Sequence, residues 1–308
     1  MRLSHIRNVS SAAIAASVIV ATGGVAWSQG VNETPEPDSV DAAALVLPGP
    51  NQFVSGLDLE CFDTQGPALN VTVQLTHLNP VLVQLGMPVH QVVIRELRQT
   101  CVPVQKNGVS PQPAALPFIR QVDLACYRVD AAPITPRALV LKHLNPVLAN
   151  IPAHMVTMTQ PNQLCLPVAK NGVIPSADIL RLIRFIDLEC YNTEPGAHPS
   201  LTLNLKQLNP QLGAIPPHNM TLVAQPRQMC VPVRKNNQPI PADVLNIVQW
   251  VDLEKFTASP LVFVAPVNVT LNHLNPLFTT LPAVPVTLRQ ASALLLPVSK
   301  NDAVPPPP

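Results

Sequence analysis

The 308-residue sequence predicts an all-β, mainly antiparallel fold of four tandem repeats, each about 65 residues long with short helical turns. Three observations carry this. Leu-Asn-Pro returns at Leu78–Pro80, Leu144–Pro146, Leu208–Pro210 and Leu274–Pro276. Cys61, Cys126 and Cys190 open the first three units, and Cys101, Cys165 and Cys230 follow them by 40, 39 and 40 residues. The chain holds 37 prolines, about 12% against a usual roughly 5%, and because proline breaks helix interiors, long helices are excluded.

From the N-terminus, Arg2 and Arg7 precede the small, apolar run Val9–Ala26, and Ala26-Trp27-Ser28 has the small-x-small pattern of a cleavage site before Gln29. This is the pattern of an export signal over 1–28. Residues 29–52 read as a flexible leader. The repeats follow at 53–112, 113–176, 177–241 and 242–302, and 303–308 is a proline-rich tail. No other apolar run reaches the roughly 20 residues of a spanning helix, so the mature chain is expected outside the cytoplasm, secreted or periplasmic, without a membrane span.

Each unit opens on a strand: "LDLECF" at Leu57–Phe62, "VDLACY" at Val122–Tyr127, "IDLECY" at Ile186–Tyr191 and "VDLEKF" at Val251–Phe256. Alternation of Val122, Leu124 and Cys126 with Asp123 and Ala125 predicts a strand with one buried face. After a second strand comes Leu-Asn-Pro. Asn79, Asn145, Asn209 and Asn275 suit a helix N-cap, and Pro80, Pro146, Pro210 and Pro276 suit the first helical position. The phrase therefore predicts a strand-to-turn corner. The histidine before it, His77, His143 or His273, becomes Gln207 in unit three and reads as dispensable.

Asn107-Gly108, Asn171-Gly172, Asn236-Asn237 and Asn301-Asp302 occupy one place in every unit. These residue types tolerate positive φ, which a two-residue hairpin turn needs twice. Between units, Pro175–Asp187 and Pro241–Asp252 allow a short helix, with Ser176 placed to cap one.

Six cysteines in an exported chain indicate disulfides. Unit four lacks both members of the pair, carrying Lys255 and Leu295 instead. Loss of both together, with no odd cysteine left elsewhere, selects pairing within units: Cys61–Cys101, Cys126–Cys165 and Cys190–Cys230. Each closed loop is expected to stabilise by roughly 4 kcal/mol.

Composition narrows the function. With 19 basic and 18 acidic residues and no basic cluster, the chain lacks the charge excess of a nucleic-acid binder. There is no C-x-x-C zinc pattern. The histidine pairs His77/His90 and His143/His154 become Gln207/His218 and His273/Val284 in the other units, so no metal site and no cofactor is expected. Asp58, Asp123, Asp187 and Asp252 recur with Lys106, Lys170, Lys235 and Lys300. They are expected as outward-facing ion pairs worth about 0–1 kcal/mol each. No serine recurs, and no hydrolase, phosphate-loop or zinc-protease motif is present, so no catalytic residue is expected.

The run from "CYRV" (Cys126–Val129) to "LCLPVAKNG" (Leu164–Gly172), echoed by "MCVPVRKNN" and "TCVPVQKNG", resembles the tandem domains of unknown function in exported bacterial proteins. The resemblance covers nearly the whole mature chain and departs at "HLNP" and in the cysteine-free fourth unit. It implies a secreted, disulfide-bonded β-repeat and brings no activity. The expected role is a non-enzymatic structural or protein-interaction module of the envelope or cell surface, its partner an unidentified protein or envelope component. The alternative is ligand binding, with glycans placed near Tyr127, Tyr191 and Trp250; a hydrolase is a distant third.

Overall fold

The computed structural model describes residues 45–195, 200–260 and 265–307; the expected export signal lies outside them. Ala44–Pro308 form one compact unit. The order short helix, opening strand, second strand, turn and long strand runs along it three times, and a last set has two strands in place of the long one. It begins with α1 (Pro50–Val54), β1 (Leu59–Asp63), β2 (Ala68–His77), α2 (Pro80–Gln84) and β3 (His90–Lys106). Then come α3 (Leu116–Ile119), β4 (Asp123–Ala131), β5 (Arg137–His143) and β6 (His154–Lys170), followed by α4 (Ala177–Ile183), β7 (Leu188–Pro195), β8 (Leu201–Gln207) and β9 (His218–Lys235). The last set is α5 (Ala242–Val248), β10 (Leu253–Pro260), β11 (Val267–His273), β12 (Val284–Leu288) and β13 (Ala291–Lys300). Among the described residues no helix is long and apolar enough to cross a membrane.

Eight of these strands close a ring. Antiparallel pairs run β1–β3–β4–β6–β7–β9–β10–β13 and back to β1, so the barrel they form has no free edge. Four of the five remaining strands tie opposite units together, while β12 pairs with β11 of its own unit. The end of β2 pairs with the end of β9, and β8 with β3; β5 pairs with β13, and β11 with β6. The first and third units, and likewise the second and fourth, thus exchange strands.

The opening strands are buried on both faces, not one. The inward face carries Leu59, Leu124, Leu188 and Leu253 together with the six cysteines, in one core with Phe53, Phe118, Leu182 and Val248 of the helices. The helices therefore close one end of the barrel. The outward face, with Phe62, Tyr127, Leu164 and Phe256, packs under Val73, Leu75, Leu203 and Val269 of the outer hairpins.

Three expectations change at the ends of elements. The last residues of the expected leader already enter the fold, since Pro48 and Pro50 are buried and Pro50 starts α1. The proline tail docks on that helix, with Asn51 donating to the Pro306 carbonyl at 3.2 Å. Ser176 stands at the start of α4 but makes no side-chain capping bond.

Candidate functional site

The residues that recur in every unit are consumed by architecture. The disulfides join Cys61–Cys101, Cys126–Cys165 and Cys190–Cys230 between directly opposed residues of neighbouring strands. The Leu-Asn-Pro asparagines cap the turn after them: Asn79, Asn145, Asn209 and Asn275 accept from the backbone N–H of Val81, Val147, Gln211 and Leu277 at 2.9, 2.9, 3.0 and 3.1 Å. The prolines Pro80, Pro146 and Pro210 open the turns. The hairpin tips hold positive φ at Asn107, Asn171, Asn236 and Asn301. Their side-chain oxygens also accept from Asn204, Thr270, Gln74 and Val140 of the opposite unit.

The recurrent Asp and Lys are not on the surface. Lys106, Lys170, Lys235 and Lys300 pair with Asp58, Asp123, Asp187 and Asp252, and every member is at most 3% exposed. The outer hairpins cover the face that alternation alone would leave to solvent. The amide of each corner asparagine completes the triad from the next unit: Asn145 donates to Asp58, Asn209 to Asp123, Asn275 to Asp187 and Asn79 to Asp252, at 2.8, 3.0, 2.9 and 2.5 Å. Burial pushes each carboxyl pKa up and each ammonium pKa down, against the attraction within the pair.

One departure from the repeat lies in the lumen. At the end away from the helices, Gln99, Gln163 and Gln228 stand two residues before the second cysteine of their units, with Ala293 at the matching place. Lys255 stands where the first cysteine would be, directly opposite Leu295. Its ammonium crosses the lumen and donates at 2.5 Å to Gln99 Oε1 and at 2.5 Å to Gln163 Oε1. Burial drives its pKa down to about 7, with the Asp63 carboxylate pulling the other way. Lys255 lines a cavity of about 400 Å³ with Gln99, Asn162, Gln163, Asn192, Gln228 and Ser292. Gln99, Asn162 and Gln163 also border a wider vestibule of about 840 Å³, which adds Arg98, Arg128, Arg289 and Asp63. Amides suit hydrogen bonding to a polar guest; of the vestibule arginines, Arg98 pairs with Glu96, and Arg128 with Glu96 and Asp130.

A second non-equivalent feature lies in the outer layer. Each opening strand carries an outward residue, Glu60, Ala125, Glu189 or Glu254, and the three glutamates meet the opposite unit. Glu189 is 2.9 Å from His90 Nε2 and 3.9 Å from His77 Nε2, and accepts from the Tyr191 hydroxyl at 2.7 Å. Glu254 meets His154 at 3.0 Å and His143 at 3.8 Å. Glu60 meets His218 at 2.7 Å and the Gln207 amide at 2.6 Å. The histidine before Leu-Asn-Pro is therefore an engaged group, not a dispensable one. Burial lowers the His77 pKa to about 4. At His90 burial also works downward, but the bond and charge of Glu189 leave its pKa raised. Tyr127 and Tyr191 are buried in this layer, so they form no exposed stacking platform for a glycan.

The sequence held signals for both features. Gln99, Gln163 and Gln228 recur in register, and the exceptions Ala125 and Val284 fall in units that face each other. Compared with protein-family models, curated proteins and solved structures, the chain matches none.

Proposed function

We propose that the chain is an exported, non-enzymatic binding protein whose barrel holds a small anionic, polar molecule at its amide-lined mouth. One observation carries this reading: Lys255, the residue that replaces a cysteine, points its ammonium across the lumen at two glutamine oxygens and into the cavity. A buried ammonium is costly unless paired, and a perturbed ionisable group in a cleft marks a functional-site candidate. A carboxylate would supply the pairing charge. The rest of the repeat supports a stiff frame for that mouth, and the three disulfides suit an oxidising, extracytoplasmic compartment. The export signal over 1–28 belongs to the same reading. General protein interaction across four like surfaces accounts for none of the asymmetry at the mouth.

The test is a thermal-shift and calorimetric panel on the mature chain with acetate, succinate, glucuronate and inorganic phosphate, and with glucose as a neutral control. At least one anion should bind, glucose should not, and Lys255→Met should abolish binding while keeping the disulfides. Equal binding by the variant, or binding of none of the anions, contradicts the proposal.

A further inference from the structure

We propose that His77, His90 and Glu189 form a binding site for one divalent transition-metal ion such as zinc, clipping the first unit to the third. This site is separate from the barrel mouth and does not depend on the reading of it.

The three side chains each offer one ligand atom, and those atoms lie within 4.8 Å of one another. Two imidazoles and a carboxylate are a recognised three-residue donor set for zinc and related ions, which leaves further positions open. Around a tetrahedral ion with bonds of about 2.0–2.2 Å, neighbouring ligands stand about 3.4 Å apart. Glu189 faces both imidazoles through its two oxygens, Oε1 at 2.9 Å from His90 Nε2 and Oε2 at 3.9 Å from His77 Nε2. The Tyr191 hydroxyl lies 3.1 Å from His77 Nε2 and donates to Glu189 Oε2 at 2.7 Å, which orients both groups.

The orientation of His90 adds an independent argument. Its Nδ1 is 3.2 Å from the Pro88 carbonyl; an N–H donated there leaves the Nε2 lone pair facing the Glu189 oxygen at 2.9 Å. Two acceptors so placed need a proton or a metal ion between them, and His218 makes the same pair of contacts, to Pro216 and Glu60, where Gln207 replaces the second imidazole; an outer carbonyl bond of this kind is how proteins orient metal-binding imidazoles. His77 and Glu189 are buried, whereas the His90 side chain keeps 12% exposure, which opens a route for the ion.

The equivalent site in the other half of the molecule shows what that position accepts. There the corresponding groups are His143, His154 and Glu254, and a guanidinium sits among them: Arg227 Nη1 is 2.9 Å from Glu254 and 3.4 Å from His154. At the first site the matching chain position, three residues before the second cysteine of the preceding unit, is Asn162. One site holds a guanidinium among its ligands; its counterpart has an asparagine at that chain position.

The experiment uses the untagged mature chain with its disulfides formed and Zn²⁺ as the probe, read by calorimetry and by melting with and without chelator. Wild type should bind one Zn²⁺ per chain and melt higher with it. His90→Ala should weaken binding by at least about 10-fold, and His154→Ala should leave it unchanged. Arg227→Ala should raise the stoichiometry to two. Independently of any variant, Zn²⁺ should protect His90 from carbethoxylation in peptide mass maps. Failure of wild type to bind, full binding by His90→Ala, or unprotected His90 would overturn the proposal and leave an imidazolium–carboxylate pair only.

Discussion

Asn145 reaches from the second unit into the first, donating to Asp58 Oδ2 at 2.8 Å while its own oxygen caps Val147 at 2.9 Å. One side chain thus ends a strand, starts a turn and satisfies a buried carboxylate in the neighbouring unit. Losing the cap costs about 1 kcal/mol, and leaving a buried acceptor short of a donor adds about 1–3 kcal/mol. Asn145→Ala should therefore destabilise by about 2–4 kcal/mol in urea unfolding. A loss of only a few tenths would mean the bond to Asp58 contributes nothing.

The same triad predicts strong non-additivity. Removing Lys106 alone strands the buried Asp58 carboxylate, a change that typically costs about 3–5 kcal/mol. Lys106→Met combined with Asp58→Asn removes both charges and should recover much of that loss. A double-mutant cycle by denaturant titration measures the coupling; additive effects would argue against a buried pair.

Lys255 makes stability depend on pH with a definite sign. Its pKa falls from 10.5 unfolded to about 7 folded, so between those values the unfolded chain binds more protons. Stability must rise with pH across that window. Its penalty is greatest below pH 7 and disappears above 10.5. Unfolding free energy of wild type minus that of Lys255→Met, measured from pH 6 to 10, should increase by a few kcal/mol. A flat difference would place the ammonium in water.

Lys255 and Leu295 face each other in the register that Cys61 and Cys101 occupy in unit one. Lys255→Cys with Leu295→Cys should close a fourth disulfide, detectable by loss of free thiol and a mass decrease of two hydrogens. It should stabilise by roughly 4 kcal/mol and abolish anion binding at the mouth. Free thiols persisting under oxidising conditions would show that the two strands are not opposed there.

Much of this fold was legible in the residues. Strand alternation, the positive-φ pairs such as Asn107-Gly108 and the asparagine caps are local devices, and they form where the pattern places them. The cysteine pairing was legible because unit four dropped both partners. What was not legible is which segment covers the second face of a strand: period-two alternation around Asp123 cannot tell solvent from an outer hairpin. The burial of the Asp–Lys pairs followed from that omission. The lumen site was hidden for another reason, since Lys255 lies far in sequence from Gln99 and Gln163 and meets them only when the barrel closes.

That meeting puts the proposed binding site where the repeat is broken. The most direct measurement is the NMR titration of the ¹³Cε resonance of Lys255, assigned by Lys255→Met, in the free chain and with saturating anion. The midpoint should lie near neutrality and move upward when an anion binds. A midpoint in the ordinary lysine range, unmoved by any anion tested, would contradict it.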